Sequence, residues 1–315
     1  IGTAQLFGAK ATLYKETPDS TPNFQFIIDA FAKEETQEPT ALNLRIGSLI
    51  MRHADVTYDL RSAIMQQGKL DPDHLKLHDF GVNVVLRCLT NDSINLTLRR
   101  LQAKELNSGL TLHDTKLKLV GNQQSATFSD LDLSMPHSHL TADSLYAEYG
   151  KWSTDRTFTF RTTSISGHIT PRDLAPLYCK LSSLTDAIDL SLSAEGNEQE
   201  IRVKKCHVAT KNEGIMLRAT AQISRPFDQQ KRNLHADINT LHINSDEMHS
   251  WADVLMPDHQ EDRLINAIHE INYNGTVDYA ANGNLFSTGN LTTGIGHATY
   301  DLTYDATHFL TGTIN

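Results

Sequence analysis

Histidine offers most of the chemistry in this chain: fifteen are present. His137 and His139 fall two apart on one strand face, and His74 and His78 form a second near pair. Zinc needs three or four converging donors with a supporting shell. No cysteine or carboxylate cluster is tied to either pair by spacing, so surface or rim imidazoles are expected and no metal. His269-Glu270 begins like a zinc-protease helix motif but lacks its second histidine. Asp71-Asp73 and Asp130-Asp132 are the carboxylate pairs available for acid–base work. Asp71 and Asp73 flank Pro72, where aspartate is expected to cap a turn. No Gly-x-Ser-x-Gly elbow, phosphate loop or dinucleotide fingerprint occurs, and the glycines from Gly289 to Gly296 sit in a hairpin context. No catalytic residue, cofactor or enzymatic activity is expected.

Cys88, Cys179 and Cys206 lack the even count of a disulfide framework. Cys179 and Cys206 fall in the same repeat and could meet, but buried thiols are the simpler expectation. Asn91, Asn95, Asn274 and Asn290 open N-x-Ser/Thr triplets, which arise by chance in a chain rich in Asn and Thr. Asp19-Ser20-Thr21, Asp92-Ser93-Ile94 and Asp143-Ser144-Leu145 hint weakly at O-glycosylated, exported surface.

The elements that carry these residues are strands. Leu42, Leu44 and Ile46 alternate with polar residues, and Val56 to Tyr58 continue after a turn expected at Ala54-Asp55. Phe80 to Leu89 forms a long strand after a polar loop over 66–74. Turns follow at Thr90-Asn91-Asp92 and Asn107-Ser108-Gly109, and a break at Pro136. Turn signals every ten to fifteen residues indicate antiparallel hairpins.

From Ser164 to Tyr304 one unit recurs at about eighty residues. Each copy holds a short strand, a helix and a set of hairpins. The first helix is expected to start at Thr170 and Pro171, with Leu174, Leu177, Tyr178 and Leu181 as its stripe. The second is expected to be capped by Ser245, with Met248, Trp251, Leu255 and Met256 on one side. Gly196-Asn197 and Gly283-Asn284 turn the chain in corresponding places. The chain thus divides into a first sheet region over 1–163 and two similar units over 164–240 and 241–315. The helices are expected to cap an apolar rim.

The composition limits what such a sheet can do. Hydrophobic residues make up 39% and aromatic residues 7% of 315, and the net charge is −10. That charge argues against nucleic acid as a partner, because phosphate binding is driven by clustered Lys and Arg. Arg99-Arg100 and Lys204-Lys205 are isolated, solvated doublets. The longest apolar runs are only a few residues, such as Val84-Val85-Leu86, too short to span a membrane as a helix. A start at Ile1 without a leader suggests a segment of a longer protein. A sheet with one apolar face must hide it. With few aromatics to fill a sandwich, the expected solution is a curled sheet whose concave face is aliphatic, a surface suited to acyl chains. Leu44, Ile46, Leu96, Leu98, Leu112, Leu119, Leu131, Leu133, Phe158, Phe160, Leu190 and Val203 are the candidate lining.

Leu42-Asn-Leu-Arg-Ile-Gly-Ser-Leu-Ile-Met-Arg-His-Ala-Asp-Val-Thr-Tyr58, Leu70-Asp-Pro-Asp-His-Leu-Lys-Leu77, Leu133-Ser-Met-Pro-His-Ser-His-Leu140 and Asp173-Leu-Ala-Pro-Leu177 resemble, in that order, the TamB branch of the AsmA-like proteins. The versions resembled are those of Gram-negative bacteria of the Bacteroides type. The resemblance implies an all-β fold with a few short helices, an elongated, curled antiparallel sheet called the repeating β-groove. It also implies a periplasmic location in a protein anchored in the inner membrane. The implied role is a hydrophobic groove carrying phospholipid between the inner and outer membranes. The implied partners are phospholipid acyl chains and an outer-membrane barrel protein met through regions outside this fragment. The competing reading is a scaffold or chaperone for outer-membrane protein assembly or secretion, without lipid transfer.

Overall fold

The computed structural model describes residues 2–26, 43–90, 92–150, 157–228, 230–255, 267–305 and 310–314. The chain is all-β: among the described residues 18 strands belong to a curled, unclosed sheet of mixed pairing, with 65% strand and 8% helix. Two compact units divide it, one of residues 1–139 and 172–182, the other of residues 140–171 and 183–315.

In the first unit, β1 (Thr3–Phe7) and β2 (Lys10–Lys15) lie parallel to successive parts of β3 (Asn43–Leu60). Antiparallel pairing then runs through β4 (His74–Thr90) and β5 (Ser93–Glu105) to β6 (Thr111–Leu112) and β7 (Asp114–Asn122), and from β7 to β8 (Ser125–Ser134). Residues directly opposite in a ladder share a face. Ile46, Leu86, Leu96, Leu119 and Phe128 therefore form one row across five strands, and Leu49, Val84, Leu98 and Leu117 a second.

Bulges keep that face in phase. The β4–β5 register slips between Asn83 and Val84, so Arg99 and Arg100 are both exposed while Leu98 and Leu101 oppose Val84 and Val82. The turn expected at Ala54-Asp55 is instead a slip within an unbroken β3. There His53 and, on β4, Asp79 take left-handed φ values of 53° and 51°, which a bulge accommodates by adding one residue to a strand. Imidazole and carboxylate meet at 2.6 Å across the kink, and Gln102 donates to the other Asp79 oxygen at 2.9 Å.

The second unit begins with β9 (His139–Glu148), which pairs with β10 (Thr159–Ile169). From β10 each strand pairs antiparallel with the next: β11 (Ile188–Asn197), β12 (Glu200–Thr210), β13 (Ile215–Ser224), β14 (Asn233–Asn244), β15 (Glu270–Ala280), β16 (Leu285–Thr293), β17 (Gly296–Tyr304) and β18 (Leu310–Ile314). Register slips recur at one level of five successive pairs from β10–β11 to β14–β15. Lys204 and Lys205 mark that level on β12; both are exposed, while Val203 and Cys206 face Ala221 and Ala219. A line of bulges bends and over-twists the strands it crosses, which is how a sheet curls.

The segment from Pro171 departs from the expected helix. Two 3₁₀ turns, Pro171–Leu174 and Cys179–Ser183, stand there instead. Pro176 cannot donate an amide hydrogen and would clash with the preceding helical turn. The Pro176 carbonyl accepts from Leu70 N at 2.6 Å. The second helix is present as α1 (Ser245–Leu255). Its cap is Asn244, whose Oδ1 accepts from Glu247 N at 2.9 Å, the geometry of an N-cap; Ser245 is already in the first turn. Met256 and the Leu255 side chain lie outside the described residues. No described helix is long and apolar enough to cross a membrane.

Near the end of the second unit, a Cβ on Gly275 would sit 2.6 Å from Tyr273 Oη and closer still to Thr288 O; on Gly289 it would sit 2.7 Å from Tyr273 Cε2. The tyrosine ring lies over this opposed glycine pair. Gly275→Ala is expected to cost about 2–3 kcal/mol through overpacking. Gly296→Ala, with nothing within 4 Å, is expected to stay within about 0.5 kcal/mol. Urea denaturation of the two variants checks this; equal midpoints contradict it.

Candidate functional site: an apolar sheet face

In the second unit the register sorts side chains almost completely. Leu190, Val208, Leu217, Leu241, Tyr273, Leu291 and Ala298 form one row across β11–β17. Leu192, Cys206, Ala219 and Ile238 form another, and Ile201, Ile223, Leu234, Tyr279 and Leu285 a third. The residues between them, among them Arg218, Gln222, His235, Asn274 and Asp301, are mostly polar and point to the other face, with Met216 and Phe286 as exceptions.

The apolar face is nearly uniformly half-buried. Leu190, Val203, Leu217 and Leu241 are neither covered nor free, and no large side chain among the described residues is fully buried. Five of the eleven buried apolar residues among those described are alanines, Ala54, Ala126, Ala142 and Ala194 among them, each 8% exposed or less. Protein interiors pack to crystal-like density; among the described residues this face stays partly exposed, short of that packing.

Of the sequence candidates, Ile46, Leu96, Leu98 and Leu119 share one face of the first unit. Leu112 joins that face opposite Ala103, and Leu133 opposite Thr115. Leu131 falls two residues before Leu133, beyond the slip at Asp130, and keeps the same side. All seven are half-buried. Leu44 opposes Leu89, but its side chain lies outside the described residues. In the second unit, Leu190 faces Gly167 and Val208, and Val203 faces Ala194 and Ala221. Phe160 opposes Gly196. Phe158 precedes β10, its ring stacked 6.2 Å from Phe160 and edge-on to Phe227 at 5.5 Å.

The sequence reading missed Tyr273 and Tyr300, whose rings stack at 6.0 Å over the glycine pair. Their signal was the glycine pair itself, since a large residue beside a strand glycine covers the backbone the glycine leaves bare.

The candidate histidines pair with carboxylates. His137 Nδ1 meets Asp173 at 3.0 Å, and Asp173 also accepts from His137 N at 2.8 Å and Ser138 Oγ at 2.7 Å. Burial raises the Asp173 pKa, but these hydrogen bonds outweigh it and hold the group below its usual value. His139 pairs with Asp132 at 2.8 Å, His74 with Asp71 at 3.0 Å and His78 with Asp55 at 2.8 Å. No group of three or more His, Cys, Asp or Glu among the described residues can hold a metal. Asp71 accepts from Gln66 N and Asp73 N, tying the turn. Cys88, Cys179 and Cys206 are free; Cys179 is exposed and burial pushes the Cys206 thiol up.

No family model, curated protein or solved structure matches this chain.

On the polar face His235 sits 2.7 Å from Asp278 and 3.5 Å from Asp237. The Asp278 hydrogen bond, opposed by slight desolvation, raises the His235 pKa above 6.5. Folding therefore favours the imidazolium, and the contribution is complete below pH 6.5 and lost as pH rises through the folded-state pKa. NMR titration of His235 is expected to give a pKa above 6.5 that falls in Asp278→Asn; an unchanged value contradicts the pairing.

Proposed function

We propose that the chain is a groove segment of an AsmA-like protein of the TamB branch, standing in the periplasm of a Gram-negative bacterium and carrying phospholipid acyl chains between inner and outer membranes. It holds lipid without a cofactor and without chemistry on it. The observation that carries this reading is the set of apolar rows crossing β11–β17, left half-buried by the described residues. An acyl chain laid along them completes the layer that the protein leaves out. A segment of ten methylenes with half its surface covered gains about 4 kcal/mol, at about 0.8 kcal/mol per fully buried methylene. That gain is strong enough to retain a chain and weak enough to let it slide. Bulk aliphatic side chains without a polar anchor discriminate little between one acyl chain and another, which suits transit. An outer-membrane barrel protein is the partner class the resemblance implies.

Two variants test the face, one in each unit. Leu98→Asp and Leu217→Asp are expected to lower binding of a fluorescent fatty acid at least about tenfold, since a buried charge must be desolvated by the chain. Arg218→Asp, on the opposite face beside Leu217, is expected to leave binding within about twofold, as an exposed substitution should. Mass spectrometry of material extracted from the purified protein should find phospholipid. Bound peptide without lipid would favour a chaperone for outer-membrane proteins, and equal loss in all three variants would remove the face assignment.

A further inference from the structure

The apolar face of the second unit ends at an acidic cavity. Its last row includes Ile188 and Thr210, opposite each other across β11 and β12, and both line a cavity of about 220 Å³ beneath α1. Trp251 adds an apolar wall, and Asp186, Asp246 and Glu247 add three carboxylates. No Lys or Arg is among the described residues that line it.

Glu247 is 6% exposed, and its Oε1 is buried without a hydrogen-bond partner. Trp251, Thr210 and Asn212 hydrogen-bond to the carboxylate, yet burial and then the charge of Asp186 push its pKa up. An orphaned buried carboxylate oxygen costs several times what an ordinary hydrogen bond returns. A positive donor would relieve it. A metal ion does not fit, because no three acidic or imidazole groups among the described residues come close enough together. The remaining candidate is a cation with several N–H donors spread around one centre, attached to something that can lie on Ile188 and the rows beyond.

We propose that this cavity receives the primary ammonium group of an amphiphile, Glu247 and Asp186 neutralising the head while the aliphatic tail lies on the apolar face. The proposal rests on the acyl-chain reading above and adds to it a preference for amine heads at this end of the face. Binding needs Glu247 ionised, so affinity rises with pH through the Glu247 pKa and levels off above it.

Calorimetric titration of the full chain at about pH 8 with n-decylammonium and with n-decanol separates head from tail. Decylammonium is expected to bind at least about tenfold tighter, the scale of one charged hydrogen bond. Glu247→Gln is expected to erase that preference and leave decanol binding unchanged; Asp301→Asn, an exposed acid on the polar face, should change neither. Asp186→Asn, expected to weaken the preference, carries the test if Glu247→Gln does not fold by circular dichroism. Equal affinity for the two ligands in the native chain, or a preference surviving Glu247→Gln in folded protein, overturns the proposal while sparing the acyl-chain reading. Failure of both ligands to bind overturns both. Dihexanoyl glycerophosphoethanolamine against its phosphoglycerol counterpart then names the source: a Glu247-dependent preference assigns a lipid head, and a preference confined to decylammonium assigns a simple amine, either result supporting the site.

Discussion

An extended strand turns successive side chains to opposite faces, so each strand can keep only one side out of water and a slip of one residue exchanges the two sides. The apolar face depends on that register holding from strand to strand. It holds through cross-strand pairs such as Leu96 against Leu119 and Leu217 against Leu241. The bulges make the rule more robust. Where Arg99-Arg100, Lys204-Lys205 or Asn239-Thr240 place two polar residues in succession, the ladder slips by one and the next apolar residue returns to the same side. The same slips bend the strands, so the device that preserves the apolar face also curls it.

A sheet organised this way is short of burial. In an ordinary domain a second layer covers the apolar side and large side chains disappear from solvent. Here α1 and the 3₁₀ turns sit at strand ends, and alanines are five of the eleven buried apolar residues among those described. Backbone ladders and in-plane contacts therefore supply much of the cohesion, with turn carboxylates helping. Glu105 is 2% exposed and accepts from Lys76 N, Asn107 N and both Ser108 donors. Burial raises its pKa, but those donors together hold it below the usual value. The Asn107-Ser108-Gly109 hairpin is fixed from one buried acid rather than from a hydrophobic core.

The strands and their hairpins were legible because alternation and turn chemistry are local. Phase is unambiguous at Ile94, Leu96 and Leu98, where three alternating apolar residues state their face directly. The bulges are written in the sequence too, as apolar–polar–polar–apolar steps, but Ala54-Asp55 shows why they read as turns: a left-handed residue within a strand and a turn between strands leave similar traces. The helix expected after Thr170 failed on Pro176 and on Asp173, whose carboxylate binds the 137–138 backbone and hydroxyl instead of serving a helix turn. The Tyr273 shelf and the orphaned Glu247 oxygen were not legible, since each depends on residues brought together from separate strands or from a strand and a helix. The histidine pairs follow the same logic: His235 meets Asp278 across a ladder, 43 residues away in sequence.

The central claim is that one face of this sheet accepts acyl chains and the other does not. It is tested most directly by placing single tryptophans at Leu217 and at its neighbour Arg218 and adding phospholipid brominated on its acyl chains. Bromine quenches at contact, so the two adjacent positions report opposite faces. Quenching at the Leu217 position well above that at the Arg218 position is expected; equal quenching at both, or none at either, contradicts an acyl-binding face.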